Sequence, residues 1–298
     1  MDMKTKMMVW DIVERDKYGR VLGMTSWPHK ASDSRPSIFL VPVDGSPTSL
    51  SAMNVALRLA DQRPNAELHV LNVQLLGGND VLDNSVERQG LLETEEVRDL
   101  LALNHESYQL HIATGVPAQV IHDYSCVHNV AEIVIGTRGM GNFQRLLLGS
   151  VAMDVISNSL IPVTLVKSRD RAGSLPAEWI AWLIPFDGSP AALRAVRHAI
   201  RHVGHLESKP ILHLLNVRSY NAADIEKAIG LLEMAKLPFD VHVEAGDPAN
   251  KILEAIEQYG CGHIAMGSRG LGTLGGIVLG SVSQSVVQHA AIPVTLIK

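Results

Sequence analysis

The sequence predicts an α/β protein of two tandem domains, each a five-stranded parallel doubly wound sheet with helices on both faces. Two observations lead to this fold class. The chain of 298 residues contains one unit twice, and apolar strands alternate with amphipathic helices within each unit. Strands that are apolar on both faces belong to parallel sheets covered by helices on both sides. Ligands of such sheets bind at the carboxyl ends of the strands, so that edge is where a functional site is expected.

The internal repeat extends over most of the chain. The run IFLVPVDGSP from Ile38 corresponds to WLIPFDGSP from Trp182, and LHVLNV corresponds to LHLLNV. A glycine-rich segment at 135–151 recurs at 266–282, and IPVTLVK recurs as IPVTLIK at the end of the chain. A repeat of this kind is best explained by duplication of one folding unit.

The repeat divides the chain into four segments. Residues 37–167 and 178–298 are the two predicted domains, and 168–177 is a polar linker containing Gly and Pro. Residues 1–36 form an N-terminal extension outside the repeat. Two interpretations of the extension stay open, a β-hairpin around a turn at 16–19 and a disordered leader, because a lone hairpin is marginal in water.

Local patterns predict the elements of the first unit. Ser46 is a good N-cap residue and Pro47 suits the first helical position, so a helix begins there. One further helix is predicted around 91–101 and another from Pro117, both with apolar residues at helical spacing. The predicted strands are 37–43, 67–73, 108–113, 132–135 and 162–166.

Composition argues against several functional classes. Lys and Arg total 26 against 31 Asp and Glu, which gives a formal net charge of -5. A mildly acidic chain lacks the positive field that favours nucleic acid or an anionic membrane, so neither partner is expected. No apolar run reaches the roughly 18 residues of a membrane span, and no signal-peptide pattern follows the N-terminal lysines. Two cysteines cannot form a disulfide framework, so a cytoplasmic location is expected.

A repeated glycine pattern follows the fourth predicted strand of each unit. It reads G-x-x-G, nine residues, then G-S, and it lacks the features of a P-loop or a dinucleotide fingerprint. Without a Cβ the backbone N–H groups can approach an anion closely, and the following helix start adds the positive end of its dipole. The alternative is that the glycines only permit a tight turn. The residues predicted to hold an anion are Gly136, Arg138, Gly139, Gly149 and Ser150, and Gly267, Arg269, Gly270, Gly280 and Ser281.

An aspartate ends the first strand of each unit. Asp44 and Asp187 are placed to accept hydrogen bonds from a sugar hydroxyl or an adenine amino group; alternatively, they satisfy the backbone of their own turns. The first unit keeps Arg145 where the second has Gly276. The first site is therefore expected to bind the more tightly.

No catalytic or metal-binding residue is predicted. No nucleophile with a histidine and a carboxylate recurs in both units. His198 and His202 have a spacing that suits a metal, but Arg194, Arg197 and Arg201 are predicted to share their helix face. The prediction for that face is a solvated basic stripe.

The paired glycine pattern on a duplicated unit resembles the universal stress protein family, over about 250 of the 298 residues. The resemblance implies a five-stranded parallel fold and, for the branch that retains the glycines, ATP binding. By resemblance, Asp44 and Asp187 would contact adenosine, Val73 and Val217 would lie by the base, and the glycine loops would hold ribose and phosphates. It also implies that the last strands of the two units pair as an internal pseudo-dimer.

The expected function is that of an ATP-binding regulatory protein of the stress-response type, with little or no hydrolysis. AMP and ADP are alternative nucleotides, and Mg²⁺ is expected only if the nucleotide carries it. Two other hypotheses stay open, a slow ATP-hydrolysing or adenylyl- or phosphoryl-transferring enzyme and a scaffold without nucleotide. An unidentified regulatory protein is the expected partner, and a homodimer is left open.

Overall fold

The computed structural model describes most of the two repeated units and part of the N-terminal extension. The described residues are 12–15, 21–26, 36–63, 65–75, 83–104, 108–139, 148–167, 181–206, 208–217, 222–270 and 279–298. The predicted linker at 168–177 and the predicted hairpin turn at 16–19 lie outside them.

The described residues contain twelve strands, which all belong to one sheet. They are β1 Ile12–Arg15, β2 Val21–Ser26, β3 Ser37–Pro42, β4 Ala66–Gln74, β5 Tyr108–Thr114, β6 Glu132–Gly136, β7 Val163–Val166, β8 Ala181–Pro185, β9 Ile211–Val217, β10 Phe239–Glu244, β11 His263–Gly267 and β12 Val294–Ile297.

Helices follow most of the strands. They are α1 Pro47–Asp61, α2 Asp83–Glu93, α3 Glu95–Leu103, α4 Pro117–Val127, α5 Ser150–Asn158, α6 Pro190–Val203, α7 Ala222–Met234, α8 Pro248–Gln258 and α9 Ser281–His289. Within the described residues, no helix is both long and apolar enough to cross a membrane.

Each unit forms a five-stranded parallel sheet, as predicted. The strand order is β5-β4-β3-β6-β7 in the first unit and β10-β9-β8-β11-β12 in the second. Buried residues of α1, α3, α6 and α7 pack on one face, and those of α4, α5, α8 and α9 pack on the other. The fold is therefore doubly wound in both halves.

The two halves meet through their last strands. β7 pairs antiparallel with β12, and Thr164 lies opposite Thr295. This pairing fits the internal pseudo-dimer that the resemblance implies. The last lysine of each unit also crosses the junction: Lys167 Nζ donates to the carbonyl oxygens of Gln288 (2.7 Å) and Ala290 (2.8 Å), and Lys298 Nζ donates to that of Ser157 (2.6 Å). Each lysine thereby satisfies carbonyl groups at the end of the other unit's last helix.

The N-terminal extension adds two antiparallel strands to the first unit. β1 pairs with β2, and β2 pairs with the outer strand β5 in the register Thr25 to His111. Met24 of β2 is buried against Ile112. The edge of the first unit is thus covered, whereas β10 ends the described sheet on the other side.

A chain of four buried side chains crosses the junction between the halves. Thr164 Oγ1 donates to Glu132 Oε1 at 2.5 Å, Thr295 Oγ1 lies 2.5 Å from Thr164 Oγ1, and His263 Nε2 lies 2.7 Å from Thr295 Oγ1. Because Thr164 gives its hydroxyl proton to Glu132, Thr295 must donate to Thr164, and His263 Nε2–H must donate to Thr295. The chain therefore has one direction, from the second unit to the first.

The prediction of a solvated stripe is wrong for His198 and His202. Both imidazoles are buried, whereas Arg194, Arg197 and Arg201 of the same helix are exposed. His202 Nε2 lies 2.8 Å from Glu132 Oε2, and His198 Nε2 lies 3.6 Å from the same oxygen. The helix buries these polar side chains because α6 meets a carboxylate of the other unit there, which the sequence of one helix does not reveal. An Arg63 guanidinium nitrogen 2.7 Å from His202 Nε2 brings a positive charge to this cluster, so it needs no metal ion to balance Glu132.

The second predicted helix also differs from the prediction. It is divided into α2 and α3, and buried Thr94 stands between them. Thr94 Oγ1 donates to the carbonyl oxygen of Gly90 at 2.8 Å, a local bond of the kind that competes with regular helix geometry.

Candidate functional site

The Asp-Gly-Ser turn that follows the first strand of each unit has the same geometry in both. Gly45 and Gly188 have φ angles of 76° and 82°, which favour glycine. Ser46 Oγ then accepts from the N–H of Ser49 at 3.2 Å, and Ser189 Oγ accepts from that of Ala192 at 3.1 Å. Ser46 is thus the N-cap predicted for α1, and Ser189 caps α6 in the same way.

The turn aspartates bond to their own turns through one carboxylate oxygen. Asp44 Oδ1 accepts from the N–H of Ser46 at 3.1 Å and from its hydroxyl at 2.6 Å. Asp187 Oδ1 accepts from the N–H of Ser189 at 3.0 Å. The turn interpretation of these residues therefore holds for Oδ1, whereas Oδ2 faces the glycine loop.

The second glycine of each loop lies directly against that other oxygen. A Cβ placed on Gly139 would stand 2.5 Å from Asp44 Oδ2, and a Cβ on Gly270 would collide with Asp187 Oδ2. The end of the first strand and the glycine loop are therefore in close contact at the carboxyl edge of the sheet. A residue with a side chain at the second glycine position would collide with the aspartate.

The first glycine of each loop permits a different close approach. A Cβ on Gly136 would stand 2.7 Å from Thr48 Oγ1, and a Cβ on Gly267 would stand 2.9 Å from Ala191 Cβ. The fourth strand can thus end against the first turn of α1 or α6 only without a side chain. Thr48 Oγ1 also donates to the carbonyl oxygen of Arg138, a bond that Ala191 cannot make in the second unit.

The third glycine is the N-cap of the last helix in both units. Gly149 and Gly280 have nearly identical extended conformations, and neither makes a side-chain cap. Their own N–H groups donate to the carbonyl oxygens of Thr137 (2.8 Å) and Ser268 (2.9 Å). The N–H groups of the following first turn have no acceptor within the helix, so they are available to an anion.

In the second unit these elements enclose a cleft of about 590 Å³. That volume lies within the range of small-molecule sites. All seven residues predicted for the second site line this one cleft, namely Asp187, Val217, Gly267, Arg269, Gly270, Gly280 and Ser281. The sequence pattern therefore brings together residues that are up to 94 positions apart along the chain.

The cleft also has an apolar wall that the sequence analysis did not identify. Phe186, Leu215, Ile252 and Met266 contribute to it beside Val217. Leu215 and Val217 alternate along β9 and therefore face the same side. Ile252 lies one helical turn beyond Pro248. This spacing and the alternation along β9 are the sequence patterns that could have predicted the apolar wall.

Basic groups gather at the same edge of the sheet. Burial and, secondly, the neighbouring Arg138 lower the pKa of Lys167 to about 8. Burial and then Arg269 likewise lower the pKa of Lys298. The buried Nε atom of Arg269 has no hydrogen-bond partner among the described residues. Each loop thus has a positive environment that favours a bound anion.

The first unit has the same arrangement of Asp44, Gly136, Gly139 and Gly149, with Ser150 exposed at the start of α5. Val73 lies near the end of β4, where Val217 lies in β9. Residues 140–147 and 271–278 lie outside the described part of the chain, and they include Arg145 and Gly276.

Comparisons with known proteins agree with this architecture. The sequence model of the Universal stress protein family matches residues 37–167 and 182–298. A universal stress protein of Mycolicibacterium smegmatis is 31% identical over 225 residues, covering 68% of this chain and 73% of its own. Universal stress protein Mb2019 of Mycobacterium bovis is 26% identical over 302 residues, covering 86% of this chain and 93% of its own.

A solved structure resembles the whole arrangement. The crystal structure of a universal stress protein from Archaeoglobus fulgidus has a TM-score of 0.69 and 27% identity, and the match covers 89% of this chain and 99% of that one. The family model matches both repeated units. The chain therefore belongs to the universal stress protein family, as a member with two of its domains in tandem.

Proposed function

We propose that this chain is a regulatory protein of the universal stress type that binds an adenine nucleotide in each domain, with little or no hydrolysis. ATP is the proposed ligand, with ADP or AMP as alternatives. The observation that carries the proposal is the second-domain cleft, where an apolar wall, an aspartate, an arginine and a helix start converge.

The cleft has distinct regions that suit the parts of a nucleotide. Val217 and its apolar neighbours suit a base, and Asp187 offers an acceptor for the sugar or the amino group. Gly280 and Ser281 begin α9, where backbone N–H groups favour phosphate. Arg269 adds a cation on the same side.

The lining of the cleft supports binding rather than turnover. Asp187 is the one carboxylate among the described lining residues, and no histidine is among them. Its Oδ1 is already bonded to the turn. A hydrolase would need a positioned base or a metal held by several carboxylates, so Mg²⁺ is proposed to enter only with the nucleotide. We also propose that the protein is cytoplasmic. It binds a regulatory protein partner, and the bound nucleotide determines which partner it binds.

Calorimetric titration with ATP, ADP and AMP tests the proposal. The wild-type chain should bind two equivalents of its preferred nucleotide, and Gly139→Val and Gly270→Val should each remove one, because the new side chain displaces Asp44 or Asp187. Gly230→Val is the matched control, since a Cβ on Gly230 meets nothing within 4 Å. It should leave both sites intact.

Phosphate release under the same conditions tests the second half of the proposal. Release should stay at the background rate for wild type and for all three variants. Absence of nucleotide binding by a folded wild-type chain would leave the scaffold hypothesis, and turnover abolished by Gly270→Val would favour the enzyme hypothesis.

A further inference from the structure

Each domain carries a pair of histidines that the duplication has preserved. His69 of β4 and His111 of β5 are diagonal neighbours, because His69 lies opposite Gln109. His213 and His242 occupy the equivalent positions on β9 and β10, where His213 lies opposite Asp240. The four histidines lie between two and five residues before the carboxyl ends of their strands. They are therefore separate from the clefts described above.

In the first domain, neighbouring hydroxyl groups contact three of the four ring nitrogens of the pair. The Tyr124 hydroxyl lies 2.7 Å from His69 Nδ1 and also contacts His111 Nε2. Thr25 of β2 lies 2.9 Å from His111 Nδ1. The first pair is thus part of a hydrogen-bond network that also contains Tyr124 of α4 and Thr25 of β2.

In the second domain, two replacements change the chemistry of this position. Ala255 stands where the first domain has Tyr124, so the bridging hydroxyl is lost. Asp240 stands where the first domain has Gln109, so a carboxylate is gained. The first pair also has a carboxylate beside it, because Glu67 Oε1 lies 3.4 Å from His69 Nε2, and the second domain has Ile211 at that position. The second pair therefore keeps one acidic neighbour, now Asp240, but lacks the hydroxyl that contacts the ring nitrogens of the first pair.

The resulting atoms have the spacing of a metal site. His213 Nδ1 lies 3.0 Å from His242 Nε2 and 3.7 Å from Asp240 Oδ2, and all three atoms lie within 4.8 Å of one another. Tetrahedral zinc, with bonds of about 2.0–2.1 Å, places its ligand atoms about 3.3 Å apart. The three atoms can therefore converge on one ion with small side-chain movements.

The surroundings leave one coordination position open. His213 is buried and the ring of Tyr259 stacks on both imidazoles, at 4.8 Å from His213 and 4.0 Å from His242. The Asp240 side chain is 59% exposed, and β10 ends the described sheet. Two histidines and a carboxylate with a water in the fourth position form a known type of zinc coordination.

We propose that His213, Asp240 and His242 form a zinc site at the outer edge of the second domain. The ion ties the edge strand β10 to β9, and Tyr259 fixes the orientation of both rings. The site is distinct from the nucleotide cleft: Pro248, at the start of α8, lines the cleft, whereas Tyr259 follows the other end of this 11-residue helix, about 16 Å away.

Zinc titration of the full-length, tag-free, chelator-treated chain tests the site, with a competing chelator to set the affinity scale. The chain has 13 histidines, so weak surface binding is expected and the comparison between variants is decisive. Asp240→Asn and His242→Gln should each weaken the tightest zinc equivalent at least tenfold. His111→Gln, the equivalent change in the first domain, should leave that equivalent unchanged.

Cobalt(II) gives a second readout, because a tetrahedral nitrogen and oxygen ligand set produces visible absorption bands. Those bands should appear with wild type and His111→Gln and disappear with His242→Gln, while circular dichroism shows all variants folded. The proposal would be overturned if wild type and His242→Gln bound zinc with equal affinity. It would also be overturned if His111→Gln lost as much zinc affinity as His242→Gln. Gly270→Val should keep its zinc, so failure of the nucleotide proposal and failure of this one are distinguishable.

Discussion

Glu132 Oε2 of β6 lies 2.8 Å from His202 Nε2 of α6, and both side chains are fully buried where the two domains meet. The carboxylate belongs to the first domain and the imidazole to the second. Arg63 of the first domain approaches the same imidazole. The contact between the domains therefore has a polar centre. The negative charge of a carboxylate is balanced there by neighbouring basic groups, so the loss of one group affects the others.

Replacing the carboxylate should strongly destabilise the junction. Glu132→Ala leaves the Thr164 hydroxyl without its acceptor and removes the negative charge near the Arg63 guanidinium, and breaking a buried pair from one side costs about 3–5 kcal/mol. Urea denaturation should show this loss in the free energy of unfolding. Glu257→Ala, at an exposed position, is the control and should change stability by less than about 0.5 kcal/mol. A similar small loss for both variants would contradict the prediction.

Stability should fall in mild acid. Burial lowers the pKa of His263 to about 3 and of His111 to about 2, and it lowers the pKa values of His198 and His202 as well. These imidazoles stay neutral in the folded chain but take up protons when unfolded below pH about 6.5. The unfolded state then binds more protons, so each histidine lowers the free energy of unfolding by about 1.4 kcal/mol per pH unit below that point.

Denaturation midpoints measured from pH 8 to pH 5 check this dependence. The free energy of unfolding should be nearly constant above pH 7 and should decline steeply below pH 6.5. A flat profile down to pH 5 would show that the imidazoles accept protons without loss of the fold.

Nucleotide binding in the first domain should be coupled to proton uptake. The pKa of Lys167 is about 8, lowered by burial and by Arg138. Phosphates bound beside Arg138 would raise this pKa, so at pH 8 binding should take up at most about half a proton. Affinity should accordingly fall as the pH rises from 7 to 9. Calorimetry in buffers of different ionisation enthalpy measures the uptake, and Lys167→Met should abolish it.

The two nucleotide sites should differ in affinity. The first domain keeps Arg145 where the second has Gly276, and one charge-assisted hydrogen bond contributes about 1.5 kcal/mol, or roughly tenfold in affinity. The first site, isolated in Gly270→Val, should therefore bind ATP more tightly than the second, isolated in Gly139→Val. Arg145→Ala should remove the difference; equal affinities in the two single-site variants would show that Arg145 does not contact the nucleotide.

Much of the fold was predictable because it depends on short-range patterns. Apolar runs indicated the five strands of each unit, and Ser46 with Pro47 located the start of α1 within one residue. The glycine spacing indicated a common edge, and the second-domain cleft contains every residue predicted for it. Each of these features depends on residues that are close together in the sequence. Each also occurs in both units, so the second copy supports the prediction made from the first.

Features that depend on the partner domain were not predictable from one unit. His198 and His202 followed the helical period of exposed arginines, and only the approach of Glu132 explains their burial. The histidine pairs were different, because LHVLNV and LHLLNV already show that His69 and His213 recur. Comparing the positions around them between the two units would have revealed Asp240 and Ala255.

The directional chain from His263 to Glu132 bears on the origin of the molecule as a single polypeptide. His263 and Glu132 occupy equivalent places in the two copies. Two copies of the first half would set a carboxylate against each end of the threonine pair, and too few protons would remain to join the hydroxyls. Two copies of the second half would need one of the two imidazoles in the other tautomer, with Nε2 as the acceptor. The two halves thus carry different groups at equivalent places, and covalent fusion guarantees that each first half meets a second half in the same molecule.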